Sequence, residues 1–213
     1  MAKRNKSKKS GAGWQGGRVR VVAHAGMPTR FGRFTVLGVE GRGPKETVLV
    51  LQHGRIGNDE VPLVRIHSQC LTGDVLTSQR CDCRAQLELS LRLIGRAKSG
   101  LLLYLPQEGR GIGLMNKLRA YELQDRGMDT VEANHRLGFP SDSRDYRFSA
   151  QALRKLGVRR LRLLSNNPDK VQQLEEAGIR VVERVPCQPK TSRTTRSYLR
   201  TKKTKMGHLL VNL

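Results

Sequence analysis

The sequence predicts an α/β fold with α+β character, in which a mixed sheet has antiparallel N-terminal strands and flanking helices. Two observations carry this prediction. Residues 19–67 contain four short, β-branched segments that are separated by Gly, Pro and Asn, without a helical period between them. From residue 84 onward, segments with helical periodicity alternate with short apolar segments, which is typical of α/β proteins.

The N-terminal strands are predicted at Val19–Ala23, Gly32–Val39, Glu46–Gln52 and Val61–His67. Because no helix separates these four segments, we expect them to pair in an antiparallel manner. A helix then begins at Arg84, since its leucines recur at helical spacing as far as Gly100. The apolar run LLLYLP at residues 101–106 is a buried strand, and QEGRGIG at residues 107–113 is a loop.

Helices and strands alternate through the rest of the chain. The helix after the glycine loop carries Leu114, Leu118, Tyr121 and Leu123. A second helix, SAQALRKLG, is expected to be capped by Ser149 and to be followed by the strand RLRLLS. Asn167 and Pro168 have the chemistry of a cap and a first helical residue, and the strand RVVERV closes the pattern.

The charge of the chain is concentrated at its ends. The 213 residues include 40 Lys+Arg and 18 Asp+Glu, a formal net charge of +22. Residues 1–20 hold seven Lys/Arg and residues 184–213 hold eight, and neither segment contains an acid. Basic ends attract polyanions non-specifically. We interpret them as solvated tails rather than as a nucleic-acid recognition surface, because no interleaved aromatic residues support base stacking and Trp14 is the only ring near the first basic run.

These patterns predict that the chain is divided into three segments. Residues 1–17 are a basic, disordered leader, residues 18–189 form the catalytic domain, and residues 190–213 are a basic C-terminal segment. No apolar run reaches the roughly 18–20 residues of a membrane helix, and no apolar segment follows the basic leader. The sequence therefore excludes a membrane-spanning or exported protein, and we expect a cytoplasmic location.

Three of the four cysteines lie within fourteen residues, in CLTGDVLTSQRCDC. One residue separates Cys81 from Cys83, which makes a disulfide between them unfavourable. Because their neighbours are polar and charged, these cysteines are expected to bind a metal rather than to be buried as apolar core residues. Three ligands, with Cys70 as the first, are typical of a catalytic zinc with an open position for water. Cys187 as a fourth ligand would instead give a closed structural site, and the number of cysteines leaves both arrangements open.

Three loops carry the remaining candidate chemistry. The glycines of QEGRGIG can expose backbone N–H groups to a phosphate, beside Glu108 and Arg110, although an ordinary tight turn fits equally well. Arg65 and His67 precede the cysteines, so that positive charge and metal would lie together. SDSRDY is read as a salt-bridged surface loop or a catalytic one, and SNNPDK as a helix cap or a ligand site. Together these loops indicate a zinc-dependent enzyme acting on an anionic, phosphorylated substrate.

Several long motifs resemble the GTP cyclohydrolase II family. They are RIHSQCLTGDVLTSQRCDCRAQLELSL, YLPQEGRGIGLMNKLRAYELQDRGMDTVEANHRLGFPSDSRDY, LLSNNPDKVQQLEEAGIRVVERVP and KMGHLL. They occur in the family's order and span residues 26–210. The chain resembles the form of the enzyme that stands alone, without a dihydroxybutanone-phosphate synthase domain.

The resemblance implies the first step of riboflavin biosynthesis. Enzymes of this family open the imidazole ring of GTP, release C8 as formate and remove diphosphate, which leaves 2,5-diamino-6-(5-phosphoribosylamino)pyrimidin-4(3H)-one. It implies one Zn²⁺ per subunit on Cys70, Cys81 and Cys83, Mg²⁺ with the triphosphate, and a homodimer. Asp142 would be the acid/base carboxylate, and Tyr121 would lie near the ring-opening centre. Arg144 is proposed in the family as a nucleophile, but guanidinium stays protonated, so we assign it charge stabilisation.

The resemblance also implies the GTP contacts. They fall on Arg65, Ile66, His67, Ser68, Gln69, Gln86, Glu108, Gly109, Arg110, Thr130, Ser165 and Lys170. Gln69 stands where the family more often has Glu, and Ser165 where it has Thr. Three alternatives stay open: a family member that stops at the formylated pyrimidine, one that serves a secondary-metabolite pathway, and a zinc-containing nucleic-acid-binding protein.

Overall fold

A computed structural model describes residues 19–43, 46–57, 60–190 and 195–211, so that the leader predicted for residues 1–17 lies outside the described residues. The strands are β1 (Arg20–Thr29), β2 (Gly32–Glu40), β3 (Thr47–His53), β4 (Leu63–Ser68), β5 (Gly100–Leu105), β6 (Arg160–Leu164) and β7 (Arg180–Val185). The helices are α1 (Cys83–Ile94), α2 (Leu114–Asp125), α3 (Thr130–Arg136), α4 (Arg147–Lys155), α5 (Pro168–Glu176) and α6 (Arg196–Lys205).

The seven strands form one mixed sheet in the order β1-β2-β3-β5-β4-β6-β7. Strands β1, β2, β3 and β5 pair in an antiparallel manner, whereas β5, β4, β6 and β7 are parallel. This confirms the predicted α/β class with antiparallel strands on the N-terminal side. Among the described residues, no helix has both the length and the apolar character that crossing a bilayer requires.

The position of β4 corrects one detail of the prediction. It was expected to be antiparallel to the three preceding strands, but it pairs in parallel with β5 and β6 and has no pairing with β3. The cause lies after the strand. The cysteine segment and α1 return the chain across one face of the sheet before β5 begins, and such a crossover joins parallel strands.

The central strands are buried because helices cover both faces of the sheet. On one face α4 and α5 pack against Val50, Ile66, Leu103 and Leu163, and on the other face α1 contributes Ile94 to a second apolar cluster. Residues facing both ways on β5 are therefore apolar, which explains its continuous LLLYL run, whereas β4 is buried but also carries Arg65 and His67. The two layers hold the carboxyl ends of β4, β5 and β6 in fixed positions.

The helix starts confirm one predicted cap and contradict another. The side chain of Asn167 accepts a hydrogen bond from the backbone N–H of Asp169 at 3.1 Å, so α5 begins as expected. Ser149 is not a cap. It lies buried inside α4, which begins two residues earlier because the carboxylate of Asp145 accepts a hydrogen bond from Arg147 N at 2.8 Å.

Two helices were not predicted. The α3 helix starts with a capping box, in which Asp129 and Glu132 each bond the other's backbone N–H. The α6 helix lies in the segment that was interpreted as a solvated basic tail, and for Arg196–Lys205 that interpretation is wrong. Its sequence is dominated by cations, which hid the contacts that it makes.

Candidate active site

A single cavity opens where β4, β5 and β6 end. Its lining includes Ser68 to Cys70 at the end of β4, Gln107 to Arg110 after β5, and Ser165 to Asn167 after β6. The carboxyl ends of parallel strands are the usual ligand site of α/β sheets, at the point where successive strands are added on opposite sides. Here β5 lies on one side of β4 and β6 on the other, which creates that point.

Cys70, Cys81 and Cys83 form a thiol cluster at one end of this cavity. Their sulfur atoms lie within 4.8 Å of one another, and the Cys70 and Cys81 sulfurs are 3.7 Å apart. Cys70 follows β4, a single π-helical turn at Leu71–Val75 comes next, and Cys83 begins α1. The remaining cysteine, Cys187, lies elsewhere: its sulfur is 3.3 Å from the hydroxyl of Ser90 in the apolar cluster under α1.

The thiol cluster fits a zinc ion. Four ligands at about 2.3 Å in a tetrahedron are about 3.8 Å from one another, which matches the spacing of Cys70 and Cys81. Gly73 leaves the necessary room, because a Cβ there would be 2.9 Å from the Cys81 sulfur and 3.1 Å from the Cys70 sulfur. Three protein ligands would leave one coordination position of a tetrahedral zinc ion for water.

The electrostatics of the thiol cluster favour a thiolate at Cys70. Hydrogen bonds from Cys81 and Cys83, aided by the nearby Lys117 ammonium, hold the pKa of Cys70 far below its usual range, although burial opposes this. The same contact with Cys70 raises the pKa of Cys81 to about 11 and raises that of Cys83 as well. A negative charge on sulfur is the form that binds metal.

Lys117 connects the thiol cluster to the glycine loop. Its ammonium donates hydrogen bonds to Glu108 at 2.7 Å, to the Thr72 hydroxyl at 2.8 Å and to the Cys70 sulfur at 3.2 Å. Burial alone would lower the pKa of Lys117, but the bonds to Glu108 and Cys70 raise it. Lys117 therefore stays charged, and its two anionic partners compensate its burial.

Tyr121 lies one helical turn beyond Lys117. Its hydroxyl is 3.1 Å from that of Thr72, and the Arg80 guanidinium lies 4.8 Å from its ring centroid. Burial raises the pKa of Tyr121, so the hydroxyl keeps its proton. The structure thus places a neutral hydroxyl beside the thiol cluster, at the rim of the same cavity.

Glu108 and Asp74 hold the π-helical turn that carries the first thiol. One oxygen of Glu108 accepts a hydrogen bond from Leu71 N at 2.7 Å. Asp74 accepts from Cys70 N at 3.0 Å and from the Tyr104 hydroxyl at 2.9 Å, and it also bonds His67 Nε2 at 3.1 Å. Burial lowers the pKa of His67 even though Asp74 opposes the shift. The positive charge expected before the cysteines therefore comes from Arg65.

Arg65 joins three elements. Its guanidinium donates to the Leu164 carbonyl at 2.9 Å and to the Gln86 side chain at 2.6 Å, which ties β4 to β6 and α1. Lys170, at the start of α5, donates to the Ile66 carbonyl at 2.8 Å. Burial, together with Arg65 and Arg144 nearby, lowers the pKa of Lys170 well below its usual range. An anion bound in the cavity would raise the pKa of Lys170 again.

The glycine loop is backed by the loop that follows α3. Gly109 and Arg110 both have φ near +60°, a conformation that costs a non-glycine residue energy. Ser143 N donates to the Arg110 carbonyl at 3.1 Å, and a Cβ on Gly111 would be 3.0 Å from the Ser143 carbonyl oxygen. One terminal nitrogen of Arg110 is buried without a hydrogen-bond partner among the described residues, which leaves a donor for a ligand.

The two acidic residues of SDSRDY behave differently. Asp142 pairs with Arg144, with Oδ1 accepting from Nε at 2.9 Å, and Arg144 lines the cavity. Burial would raise the pKa of Asp142, but the Arg144 guanidinium lowers it overall, so the carboxylate is ionised. Asp145 instead pairs with the exposed Arg147. Asp145 and Arg147 therefore match the prediction of a salt-bridged surface loop, whereas Arg144, with its partner Asp142, belongs to the site.

The charge of the cavity lining is strongly positive. In the part of the chain that the structure describes, seven lysines and arginines line it against one acid, Glu108: Arg65, Arg80, Arg110, Lys117, Arg144, Lys170 and Lys202. Such a concentration of cations around an enclosed space attracts polyanionic ligands such as triphosphates. The expectation of a phosphorylated substrate therefore has a geometric basis.

Most residues expected at the site line this cavity. They are Arg65, His67, Ser68, Gln69, Cys70, Cys81, Cys83, Gln86, Glu108, Gly109, Arg110, Tyr121, Thr130, Arg144, Ser165 and Lys170. Two do not. The Ile66 side chain is fully buried in the core, so that only its carbonyl faces Lys170, and Asp142 lies behind Arg144.

Several lining residues were missed from the sequence: Arg80, Lys117, Asn134, Tyr198, Lys202 and His208. Lys117 had a usable signal, because it lies four residues before Tyr121 and thus on the same helix face. His208 belongs to KMGHLL, one of the motifs that resemble the family, but the resemblance implies no role for it at the site. Only tertiary structure brings Tyr198 and Lys202 to the cavity, since α6 is distant in sequence from the other lining residues.

These features define the class of protein: an α/β protein whose parallel strands end at a cationic cavity with a thiol cluster able to hold a metal ion. A sequence model of GTP cyclohydrolase II matches residues 19–186. The chain belongs to the GTP cyclohydrolase II family, which confirms the family indicated by the motifs.

Individual proteins that are similar to this chain support the same family. The chain is 50% identical over 192 residues to a GTP cyclohydrolase-2 of Shewanella oneidensis, covering 90% of this chain and 95% of that protein. It is 53% identical over 191 residues to one of Pseudomonas putida, covering 90% and 93%. It is also 53% identical over 184 residues to the riboflavin biosynthesis protein RibBA of Bacillus cytotoxicus, covering 86% of this chain but 46% of that protein. The chain thus spans about half the length of its RibBA relatives.

Proposed function

We propose that this protein opens the imidazole ring of GTP, releases C8 as formate and removes diphosphate, giving 2,5-diamino-6-(5-phosphoribosylamino)pyrimidin-4(3H)-one for riboflavin biosynthesis. The observation that carries the proposal is that one cavity combines the thiol cluster with seven cationic side chains. The thiol cluster supports the ring-opening chemistry, and the cations support recognition of the triphosphate. A cytoplasmic homodimer is part of the proposal.

Cys70, Cys81 and Cys83 would hold the zinc ion. A zinc ion with an open position supplies Lewis acidity and activated water for attack at C8. Gly73, Asp74 and the other residues around the turn keep the sulfurs in place. Mg²⁺ would accompany the triphosphate and neutralise part of its charge.

Tyr121 and Lys117 act at the base end of the nucleotide. The Tyr121 hydroxyl is protonated and can donate a hydrogen bond to the imidazole ring as it opens. Lys117 keeps a positive charge beside Cys70 and orients Thr72, the hydrogen-bond partner of Tyr121. Gln86, which is held by Arg65, lines the same region and offers an amide for base recognition.

Arg110, Arg144 and Lys170 act at the phosphate end. Arg110 has an unused donor, and an anion would raise the lowered pKa of Lys170 and so favour its charged form. Arg144 stabilises negative charge that develops at the α-phosphate. It does not attack the phosphorus, because its guanidinium stays protonated: Tyr146 and Asp142 raise its pKa against the effect of burial. Asp142 is ionised and can accept a proton once the nucleotide has drawn Arg144 away.

The test is incubation of the zinc-loaded protein with GTP and Mg²⁺, followed by product identification by mass spectrometry. We expect formate and diphosphate in a one-to-one ratio. A product that keeps the formyl group would identify the family variant that stops at ring opening. Turnover of ATP at a comparable rate would contradict the substrate assignment, and salt-sensitive nucleic-acid binding without GTP turnover would contradict the whole proposal.

A further inference from the structure

The C-terminal segment, residues 195–211, contacts three separate segments of the chain around the cavity. Lys202 in α6 donates to Asp82, between the second and third cysteines, at 2.9 Å. Lys205 bonds Glu132 at 3.0 Å and also contacts Asp129, at the start of α3. Beyond the helix, Leu209 N donates to the Asn166 carbonyl at 2.9 Å. The segment therefore spans the cavity from the thiol cluster to the end of β6.

These three contact points neighbour residues expected to bind GTP. Asp82 also accepts a hydrogen bond from Gln86, and Asp129 and Asn166 are adjacent to Thr130 and Ser165. The Lys202–Asp82 pair is buried, with side-chain exposures of 10% and 6%, so it fixes α6 more firmly than a surface pair would. Lys202 is in this sense a positioning residue for the segment.

His208 is the residue that this arrangement presents to the cavity. Its backbone N–H donates to the Lys202 carbonyl at 3.1 Å, and the next residue is bound to Asn166, so its position is fixed on both sides. Its ring lines the cavity, and its Nε2 atom is buried without a hydrogen-bond partner among the described residues. A buried polar atom without a partner is costly unless a ligand satisfies it.

The surroundings of His208 indicate which ligand that is. The charges that act on the ring are Lys202, Arg144, Arg110 and Lys170, all cations. Burial and these cations lower the pKa of His208 to about 3, so the imidazole is neutral and keeps one N–H. A neutral donor surrounded by cations suits an anionic oxygen, because the cations supply the attraction and the ring fixes the direction.

We propose that residues 195–211 form the last wall of the nucleotide site and that His208 donates a hydrogen bond from Nε2 to a phosphate oxygen of GTP. The inference rests on the proposed function for the identity of the nucleotide, but the anion contact itself does not require turnover. Lys202 holds the segment in place, and His208 makes the contact.

The experiment measures the binding of inorganic triphosphate to the full-length, zinc-loaded protein by calorimetry, with guanosine as a second probe. Loss of one hydrogen bond to a charged group predicts that His208→Ala weakens triphosphate binding about 10- to 100-fold. His208→Gln keeps an N–H donor and should recover most of this loss. His24→Ala, an exposed histidine on β1, is the matched control and should bind as the wild type does. Guanosine binding should be unchanged in all three variants.

Two results would overturn the inference. Triphosphate binding by His208→Ala within about twofold of wild type would show that the ring makes no contact. Equal weakening for triphosphate and guanosine would show that the segment only shapes the cavity. Formate release from GTP is measured separately: triphosphate binding that depends on His208 in a protein that releases no formate would support this inference and refute the proposed function.

Discussion

Gly73→Ala tests how tightly the thiol cluster is packed. A Cβ at this position would lie 2.9 Å from the Cys81 sulfur, 3.1 Å from the Cys70 sulfur and 3.2 Å from the Cys83 Cβ. Because non-bonded heavy atoms are most stable at about 3.5–4.0 Å, the Cys81 sulfur would have to move by about 0.6–1.1 Å to reach that separation. Metal ligands tolerate deviations of only about 0.2 Å. We therefore expect zinc affinity to fall by at least about 100-fold, beyond the loss typical of changes outside the ligand shell.

The assay is zinc content by elemental analysis, followed by competition with a chelator of known affinity. Gly26→Ala is the matched control, since nothing lies within 4 Å of a Cβ there and its zinc affinity should equal that of wild type. Circular dichroism and thermal unfolding show whether each variant is folded. A folded Gly73→Ala protein with zinc affinity within about threefold of wild type would refute the assignment of the thiol cluster as the metal site.

Three further predictions concern charge and ligand number. Each Cys→Ser variant of the thiol cluster should lose zinc and formate release, whereas Cys187→Ser should lose neither; equal zinc loss in Cys187→Ser would indicate a closed four-ligand site. Lys117→Met leaves the Glu108 carboxylate buried without its partner, so chemical denaturation should show a loss of about 3–5 kcal/mol, and Lys117→Arg should lose less. His208 has a lowered pKa in the folded chain, so the unfolded chain binds more protons at acidic pH and stability is lost as pH falls below about 6.5. Between pH 6.5 and pH 5 this amounts to about 1.6 kcal/mol, and a denaturation series should show a flatter pH dependence for His208→Gln.

Local sequence patterns were sufficient to predict most of the helices and strands, but not which strands pair in the sheet. The strand β4 was identified by its composition, yet its neighbours in the sheet were not, because pairing depends on where the following crossover places the chain. Ser149 has cap chemistry, but the Asp145 carboxylate starts α4 earlier, and the two alternatives differ by too little in sequence to be separated.

The candidate site shows the same division. Close spacing was enough to group Cys70, Cys81 and Cys83, since fourteen residues bring three thiols together in any compact turn. Composition alone led to a wrong prediction for α6, because a run of lysines is typical of a solvated tail. The contact of Lys202 with Asp82 joins residues that are far apart in sequence. The predicted division into residues 1–17, 18–189 and 190–213 stays a prediction.

The hydrogen bonds that build the cavity differ greatly in the length of chain that they close. The Cys70 and Cys81 sulfurs belong to residues 11 positions apart, whereas the bonds of Arg65 to Leu164, Lys170 to Ile66 and Lys202 to Asp82 span 99, 104 and 120 positions. Closing long loops costs more entropy and slows folding. The order of assembly follows from this difference. The turn that carries Cys70 can form early, from one local stretch of chain, but the rest of the cavity wall exists only after the parallel strands and their helices have come together.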